Sequence, residues 1–213
     1  MKILVDVVFT IASALALWHG SRRRRRKAAR RPIERRATTT IAGLREGEQT
    51  KIRGVVAARE ALLTSPIGGR TCIGYRAIID DVTHDPAFVW TPLVSREAWP
   101  SFLVEDETGT VAVQGAVEIL VDPSDSGENL PSRVYDLLAE DKVRMKDLWR
   151  ARRFWFRETL LKVGDRVSVV GRPTLEIDPA GQGSFREPPR LYVMRGTRDE
   201  PVVVIDDDEP APL

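Results

Sequence analysis

The residues best suited to chemistry lie in one short stretch, LLTSPIGGRTCIGY, which contains the only cysteine of the chain, Cys72. A reactive thiolate needs a neighbouring histidine or cation and partial exposure to solvent. Arg70 is close in sequence, but no histidine is. Free cysteine otherwise packs as a small hydrophobe, so we expect Cys72 to be buried at the start of a β-strand. Ser65 is no better as a nucleophile, because no Gly-x-Ser-x-Gly elbow surrounds it.

A second candidate is the acidic turn formed by Glu105, Asp106 and Glu107. Paired carboxylates can act as general acid and base, but solvated acids are also common in hairpin turns. One cysteine excludes a disulfide framework and a zinc site built from several thiolates, and the two histidines lie far apart in sequence. We predict no catalytic residue, no metal and no cofactor. A hydrolase that uses the acidic turn or Cys72 stays open as an alternative.

These residues must be positioned by β-structure. Short apolar segments punctuated by glycine, proline and aspartate follow residue 50, a pattern typical of a β-protein. In FLVEDETGTVAVQ two arms flank a turn in which Gly109 can adopt a positive φ, which predicts a hairpin. The predicted strands are TKIRGVVAA, CIGYRAIID, the two hairpin arms, AVEILV, DRVSVVGRPTLEI, RLYVMRG and PVVVI.

One segment, at about residues 131–156, departs from this pattern. Its apolar residues recur at helical spacing, with charged residues between them, and predict one long amphipathic helix that closes one end of the β-structure. The predicted fold class is therefore mainly β, of the α+β kind. We expect a small OB-like β-barrel or a sandwich, interrupted by this helix and preceded by an N-terminal membrane-anchor helix.

The N-terminus has the pattern of a membrane anchor. Residues 3–18 form an apolar run of sixteen residues broken only by Asp6, and residues 1–21 together come near the lower limit for spanning a bilayer. Cations that directly follow an apolar run stay in the cytoplasm. We therefore predict a single-pass membrane protein with a cytoplasmic globular domain. The predicted membrane-contact residues are Trp18, Arg22, Arg23, Arg24, Arg25, Arg26 and Lys27.

Other interpretations of this N-terminus remain open. The sequence ALA at residues 14–16 resembles a signal-peptide cleavage site, but a secretory peptide carries its cations before the apolar run, and here only Lys2 precedes it. A buried core helix is a further alternative. The polybasic residues 22–36 are compatible with nucleic-acid binding, but their position beside an apolar helix favours anionic lipid headgroups.

Charge is distributed unevenly along the chain. The net charge of +2 combines +9 in residues 1–36 with −7 in the rest. Between residues 37 and 198 the 22 basic and 23 acidic side chains nearly cancel, so the electrostatic part of any nucleic-acid affinity is small. We predict a transmembrane anchor (1–21), a polybasic juxtamembrane linker (22–49), a β-domain (50–205) with the helical insertion at about 131–156, and an acidic tail (206–213).

Four pieces of the chain together resemble the GIDE domain, also called the BAM ("beside a membrane") domain. This domain occurs in bacterial membrane proteins and in a mitochondrial RING-type E3 ubiquitin-protein ligase. The matching pieces are IRGVV, LLTSPIGGRTCIGYR, FLVEDETGTVAVQGA and RETLLKVGDRVSVVGRP, between about residues 52 and 173. The resemblance identifies as motif residues Ser65, Pro66, Gly69, Arg70, Cys72, Tyr75, Asp106, Gly109, Glu158, Gly164, Asp165 and Gly171.

The resemblance implies a β-rich domain tethered next to a bilayer. In the eukaryotic ligases a C-terminal RING finger performs the ubiquitin chemistry, and it needs Cys and His ligands for two zinc ions. This chain has one cysteine, so the pattern departs from the family at that point. We therefore assign no enzymatic activity on the basis of the resemblance.

Three functions of different classes follow from these observations. The leading hypothesis is a membrane-tethered, non-catalytic protein-interaction or complex-assembly domain. Its expected partners are the bilayer, through residues 1–36, and an unidentified protein, with no nucleic acid. The alternatives are an OB-like nucleic-acid-binding module, which the predicted small barrel would suit, and the hydrolase named above.

Overall fold

The computed structural model describes residue 33 and residues 35–81, 91–127, 129–141, 154–178 and 189–207. Within these ranges the chain is mainly β, as predicted, with one α-helix and a short 3-10 helix at Ile41–Gly43. In the same ranges, no helix combines the length and the apolar character that a membrane span requires. The predicted anchor and its contact residues, Trp18 and residues 22–27, lie outside the described residues.

Within the described residues, fourteen strands follow one another in short runs. In chain order they are β1 (Thr50–Ala58), β2 (Leu63–Thr64), β3 (Thr71–Cys72), β4 (Gly74–Asp81), β5 (Thr91–Ala98), β6 (Phe102–Asp106), β7 (Gly109–Gly115), β8 (Val117–Ile119), β9 (Asp125–Gly127), β10 (Phe154–Leu161), β11 (Arg166–Gly171), β12 (Pro173–Ile177), β13 (Arg190–Gly196) and β14 (Val202–Asp206). The helix α1 (Ser132–Glu140) lies between β9 and β10. The predicted hairpin is confirmed as β6 and β7, which pair in antiparallel fashion.

The larger sheet has eight strands in the order β12-β13-β7-β6-β1-β11-β14-β8. Neighbouring strands are antiparallel except for two parallel pairs, β13 with β7 and β14 with β8. β7 and β8 are two halves of one chain run. Between them the Ala116 N–H donates to the Gly196 carbonyl, and the Ala116 carbonyl accepts from the Val202 N–H, both at 3.0 Å. The run therefore lies inside the sheet at β7 and at its edge at β8, and the sheet bends back on itself at Ala116.

The closed form of the predicted barrel is not present. The edge strands β12 and β8 do not pair with each other in the described sheet. Strands β13 and β12 extend the sheet beyond β7 at one edge, and β8 pairs with β14 at the other edge. The sheet is strongly curved around one apolar core, to which Ile52, Phe102, Val104 and Val169 contribute fully buried side chains.

A smaller antiparallel sheet has the order β5-β4-β10-β9. Its strands come from two chain segments, one inserted between β1 and β6 and the other between β8 and β11. Helix α1 packs on this sheet, where Leu138 and Phe156 belong to a second apolar core. At the end of the helix Arg96 of β5 pairs with Glu140 at 2.8 Å and with Asp141 at 2.7 Å.

The helix is shorter than predicted. It spans Ser132–Glu140 within the described residues, and the last part of the predicted helix instead begins strand β10, Phe154–Leu161. Residues 142–153 lie outside the described residues. Phe156 is opposite Ile79 of β4 in the ladder. That pairing satisfies main-chain groups of residues whose side-chain spacing alone suits a helix.

The predicted linker ends earlier than residue 49. Ile41 and Leu44 are buried in the core of the larger sheet, and the Thr39 N–H donates to the Lys51 carbonyl at 2.8 Å. The Ile41 N–H also donates to the Asp106 carboxylate at 2.8 Å. Two apolar side chains and these hydrogen bonds hold a segment whose composition is otherwise that of a linker.

The bend at Ala116 leads to a stability prediction. A Cβ at Gly196 would overlap the Ala116 carbonyl oxygen and lie 2.7 Å from the Val202 nitrogen. Gly196→Ala should therefore lower the free energy of unfolding by about 3 kcal/mol, as for overpacking against rigid main chain. Urea denaturation measures this change. Gly127→Ala is the control, since the nearest atoms to its added Cβ are 3.8 Å away; equal losses in the two variants would contradict the close approach.

Candidate functional site

Three of the motif residues, Ser65, Arg70 and Glu158, meet at one buried carboxylate, that of Glu158 in the middle of β10. Its side chain is 0% exposed. The carboxylate accepts hydrogen bonds from the Ser65 hydroxyl at 3.1 Å, the Ile67 N–H at 2.9 Å and the Gly68 N–H at 3.1 Å. It also accepts one from the Arg70 guanidinium at 3.1 Å. Residues about ninety positions apart in sequence thus form one cluster, which we call the Glu158 cluster: Ser65, Ile67, Gly68, Arg70 and Glu158.

The loop between β2 and β3 is shaped to wrap this carboxylate. The Ser65 N–H donates to the Arg70 carbonyl at 2.8 Å, and the Gly69 N–H donates to the Ser65 carbonyl at 3.1 Å. Gly69 has a φ of 64°, a left-handed conformation that favours glycine. A Cβ on Gly68 would lie only 2.8 Å from a Glu158 carboxylate oxygen. The two glycines therefore let the main chain turn tightly and approach the carboxylate closely.

Charge in the cluster is balanced by Arg70. A carboxylate removed from water costs several kcal/mol unless it is paired and hydrogen-bonded. Arg70 meets that need, and its guanidinium also lies 3.9 Å from the half-exposed Asp125 of β9. Ser65 is fully buried and its hydroxyl also accepts from the Arg70 N–H at 3.1 Å. The arrangement holds a loop in place, and it presents neither Ser65 nor Glu158 to a substrate.

Cys72 lies next to the cluster and is buried, as predicted. Its position differs slightly from the prediction, since it ends the short strand β3 and β4 begins at Gly74 after a break at Ile73. Burial raises the pKa of the Cys72 thiol above its ordinary value, and the nearby Glu158 carboxylate raises it further, while Arg70 partly offsets both. The thiol is thus held protonated, which is the unreactive form.

The other motif residues lie in separate places. Tyr75 is on β4 opposite Leu160 of β10 and packs against the second core. Pro66 is in the loop of the Glu158 cluster and is half-buried. Gly171, at the end of β11, packs closely against Met194, because a Cβ there would be 3.1 Å from the Met194 sulfur.

Asp106 organises the β6–β7 turn. Its carboxylate accepts from the Thr108 N–H at 2.7 Å, the Thr108 hydroxyl at 2.6 Å and the Gly109 N–H at 3.0 Å, in addition to the Ile41 N–H. Burial acts to raise the pKa of Asp106, but the hydrogen bonds from Thr108, Ile41 and Gly109 outweigh it and hold the pKa below its ordinary value. Asp106 and Gly109 therefore close a turn against the 3-10 helix.

Gly164 and Asp165 shape the turn between β10 and β11. Gly164 has a φ of 89°, and its N–H donates to the Val56 carbonyl at 2.9 Å. The Asp165 carboxylate accepts from the Lys162 N–H at 2.8 Å, and its carbonyl accepts from the Val56 N–H at 2.9 Å. These hydrogen bonds dock the turn against β1.

Sequence reasoning missed the central contact of the site. Glu158 was singled out only through the family resemblance, and its partners lie in a loop that sequence analysis treats as a strand connection. An adjacent ion pair, Arg157 with Asp80 at 2.7 Å, joins β10 to β4 and was also missed. The available signal consisted of the apolar residues Leu160 and Leu161, which predict a buried strand, and of Gly68 and Gly69, which allow a close approach of the main chain in the loop. It does not specify the pairing of β10 with β4.

The described part of the chain contains no group of three or more His, Cys, Asp or Glu side chains placed to hold a metal ion. Comparison with known proteins gives no match, whether with family models, with curated protein sequences or with solved structures. The resemblance to the GIDE domain therefore rests on the motif residues alone.

The Glu158 cluster leads to a prediction for Glu158→Gln. The amide keeps the shape of the side chain but removes the charge that Arg70 and the loop N–H groups bind, and it turns two donor hydrogens toward other donors. We expect a loss of about 3 kcal/mol in the free energy of unfolding and faster native-state labelling of Cys72 by a thiol reagent. Glu107→Gln, at an exposed position in the acidic turn, is the matched control. Unchanged Cys72 labelling in Glu158→Gln would show that the carboxylate does not hold the loop.

The raised thiol pKa predicts how stability depends on pH. In the unfolded chain Cys72 ionises near its ordinary value of 9.0, whereas the folded protein keeps the proton to higher pH. The contribution of the protonated thiol to the free energy of unfolding is therefore fully present below the ordinary value of 9.0 and is lost as pH rises through the pKa of the folded state. In urea denaturation between about pH 7 and about pH 10, we expect wild type to lose stability relative to Cys72→Ala once the pH passes about 9. A constant difference across that range would contradict the raised pKa.

Proposed function

We propose that this protein is a membrane-tethered, non-catalytic module on the cytoplasmic face that binds another protein or assembles a complex at the bilayer. The non-catalytic part of this proposal rests on the structural role of Glu158. This carboxylate is fully buried and is occupied by a loop and by Arg70, so it is a structural anchor. The membrane part rests on the apolar run at residues 3–18 and the six cations at residues 22–27.

The residues of the hydrolase alternative have structural uses as well. Four hydrogen bonds from the main chain and Thr108 occupy Asp106, and a hydrogen-bonded carboxylate with a lowered pKa is a weak base. Glu105 and Glu107 are exposed on either side of it. Cys72 is buried and its thiol pKa is raised, which disfavours the reactive thiolate. These observations favour a binding function over a hydrolytic one.

The OB-like assignment of the fold is part of the same proposal. Six strands of the larger sheet pair in the order β7-β6-β1-β11-β14-β8, and the two at the ends, β7 and β8, belong to one chain run, so this part of the sheet counts as five strands. An OB-fold is a partly open five-stranded barrel. The order of pairing supports an OB-like core, to which the β12–β13 pair and the smaller sheet are added.

An OB-like core gives the nucleic-acid alternative one favourable observation, but the surface argues against it. Several arginines around the larger sheet are paired with acids: Arg53 with Asp207, Arg59 with Asp178, Arg172 with Glu200 and Arg195 with Glu176. Paired arginines release few counterions from a phosphate backbone. The residues of β1 on the side opposite Ile52 and Val56 are Lys51, which is buried, and Arg53, Val55 and Ala57. None of them offers an aromatic ring for base stacking.

The test uses full-length protein in membranes. After an alkaline carbonate wash we expect the chain to stay in the membrane fraction with its N-terminus intact. After mild solubilisation it should crosslink to the same protein partners as the Cys72→Ala variant, because a packing residue has no part in the contact. Recovery in the soluble fraction, or a mature N-terminus at residue 17 or later, would contradict the tether. Tight, steeply salt-dependent binding of single-stranded DNA by residues 37–213 would favour the nucleic-acid alternative.

A further inference from the structure

The outer edge of the larger sheet carries two exposed apolar side chains. Leu175 is 38% exposed and Ile177 is 66% exposed. Both belong to β12, which is an edge strand of the larger sheet as described and pairs there with β13. They are two positions apart on one strand, so they lie on the same face of the sheet. This edge therefore presents an apolar strip to its surroundings.

The neighbouring strand adds a cation and an aromatic ring to the strip. In the β12–β13 register Ile177 is opposite Arg190, and Leu175 is opposite Tyr192, and residues directly opposite share a face. Arg190 is exposed, while Tyr192 is half-buried and its hydroxyl donates to the Leu44 carbonyl at 3.0 Å. We call Leu175, Ile177, Arg190 and Tyr192 the β12 edge surface.

Three acids near this surface have contacts of their own, and one of them, Glu46, lies at the edge of β12 itself. Glu176 on the opposite face pairs with Arg195 at 3.1 Å, and Asp178 lies 3.7 Å from Arg59. Glu46 accepts from the Leu175 N–H at 3.3 Å. Arg190 has no ion pair within the described part of the chain. The β12 edge surface thus combines apolar side chains, a tyrosine and a cation with no ion pair among the described residues, a composition that suits the boundary between headgroups and acyl chains.

The course of the chain brings this surface close to the predicted tether. Leu44, whose carbonyl binds Tyr192, is only eight residues after Arg36, where the polybasic stretch ends. Residues 22–35 reach at most about 50 Å when fully extended. A domain held this near to a bilayer meets it repeatedly, and a weak contact is then enough to orient it.

We propose that the β12 edge surface rests on the anionic face of the bilayer, with Ile177 and Leu175 at the acyl boundary and Arg190 on a lipid phosphate or carboxylate. This inference depends on the proposed function, because it takes the tether as given. It adds an orientation for the domain. The Glu158 cluster lies at the smaller sheet and α1 packs on that sheet, so this part of the domain stays available to a protein partner.

The experiment uses the full-length chain reconstituted in phosphatidylcholine vesicles with and without phosphatidylserine. In a Cys72→Ala background, an environment-sensitive fluorophore is placed on Ile177→Cys, and for the control on Tyr135→Cys, an exposed position of α1. We expect lipids brominated on the acyl chain to quench the label at position 177 several-fold more than the label at position 135. The quenching should need phosphatidylserine and should fall sharply in Arg190→Glu.

Other outcomes separate the alternatives. Equal quenching at the two positions, in protein that stays with the vesicles after a carbonate wash, would overturn the bilayer contact and leave the tether intact. Loss of the chain from washed vesicles would overturn both. Protection of position 177 from aqueous iodide without bromolipid quenching, rising with protein density, would overturn the lipid contact and assign the surface to a second copy of the chain.

Discussion

The burial of the Glu158 carboxylate is the constraint on which the smaller sheet and its loop depend. An ionised carboxylate in the interior is tolerated only when several donors replace the water it has lost. Here Arg70, Ser65 and two main-chain N–H groups do so. That demand explains why the β2–β3 loop contains two adjacent glycines. A side chain at position 68 would meet the carboxylate, and the loop would be forced away from its charge partner.

The same strand ties the β2–β3 loop to the smaller sheet. Within β10, Glu158 binds the loop and its carbonyl accepts from the Ser124 N–H at 2.8 Å, while Leu161 accepts from the Ile73 N–H at 2.7 Å. Loop, β4, β9 and β10 are therefore fixed by one short stretch. Arg96 adds a further restraint by joining β5 to the end of α1. A preorganised surface of this kind loses little conformational entropy when it binds a partner, which fits an interaction module better than a site that must open for substrate.

The two layers also divide the surface into regions of different character. The larger sheet carries paired arginines and the apolar edge at Leu175 and Ile177, whereas the smaller sheet carries α1 and the loop of the Glu158 cluster. In the proposed orientation, the smaller sheet and α1 are the surfaces left for a protein partner. The physical basis is simple, since contacts with lipid favour apolar and cationic side chains and contacts with proteins do not need an excess of either.

The sequence by itself determined the β class, the hairpin at Asp106–Gly109 and the burial of Cys72, because alternation, turn chemistry and the lack of an activating base are local properties. It did not determine that Phe154–Leu161 is a strand, since apolar residues at helical spacing run directly into it and only pairing with β4 decides between the two states. Strand β5 is missed for a related reason: Pro92, Arg96 and Glu97 interrupt its apolar pattern, and an edge strand tolerates such residues. The bend at Ala116 and the meeting of Glu158 with Ser65 and Arg70 belong to the tertiary structure alone. Both depend on hydrogen bonds between residues about eighty to ninety positions apart, and no local pattern encodes which distant donor will satisfy a buried acceptor.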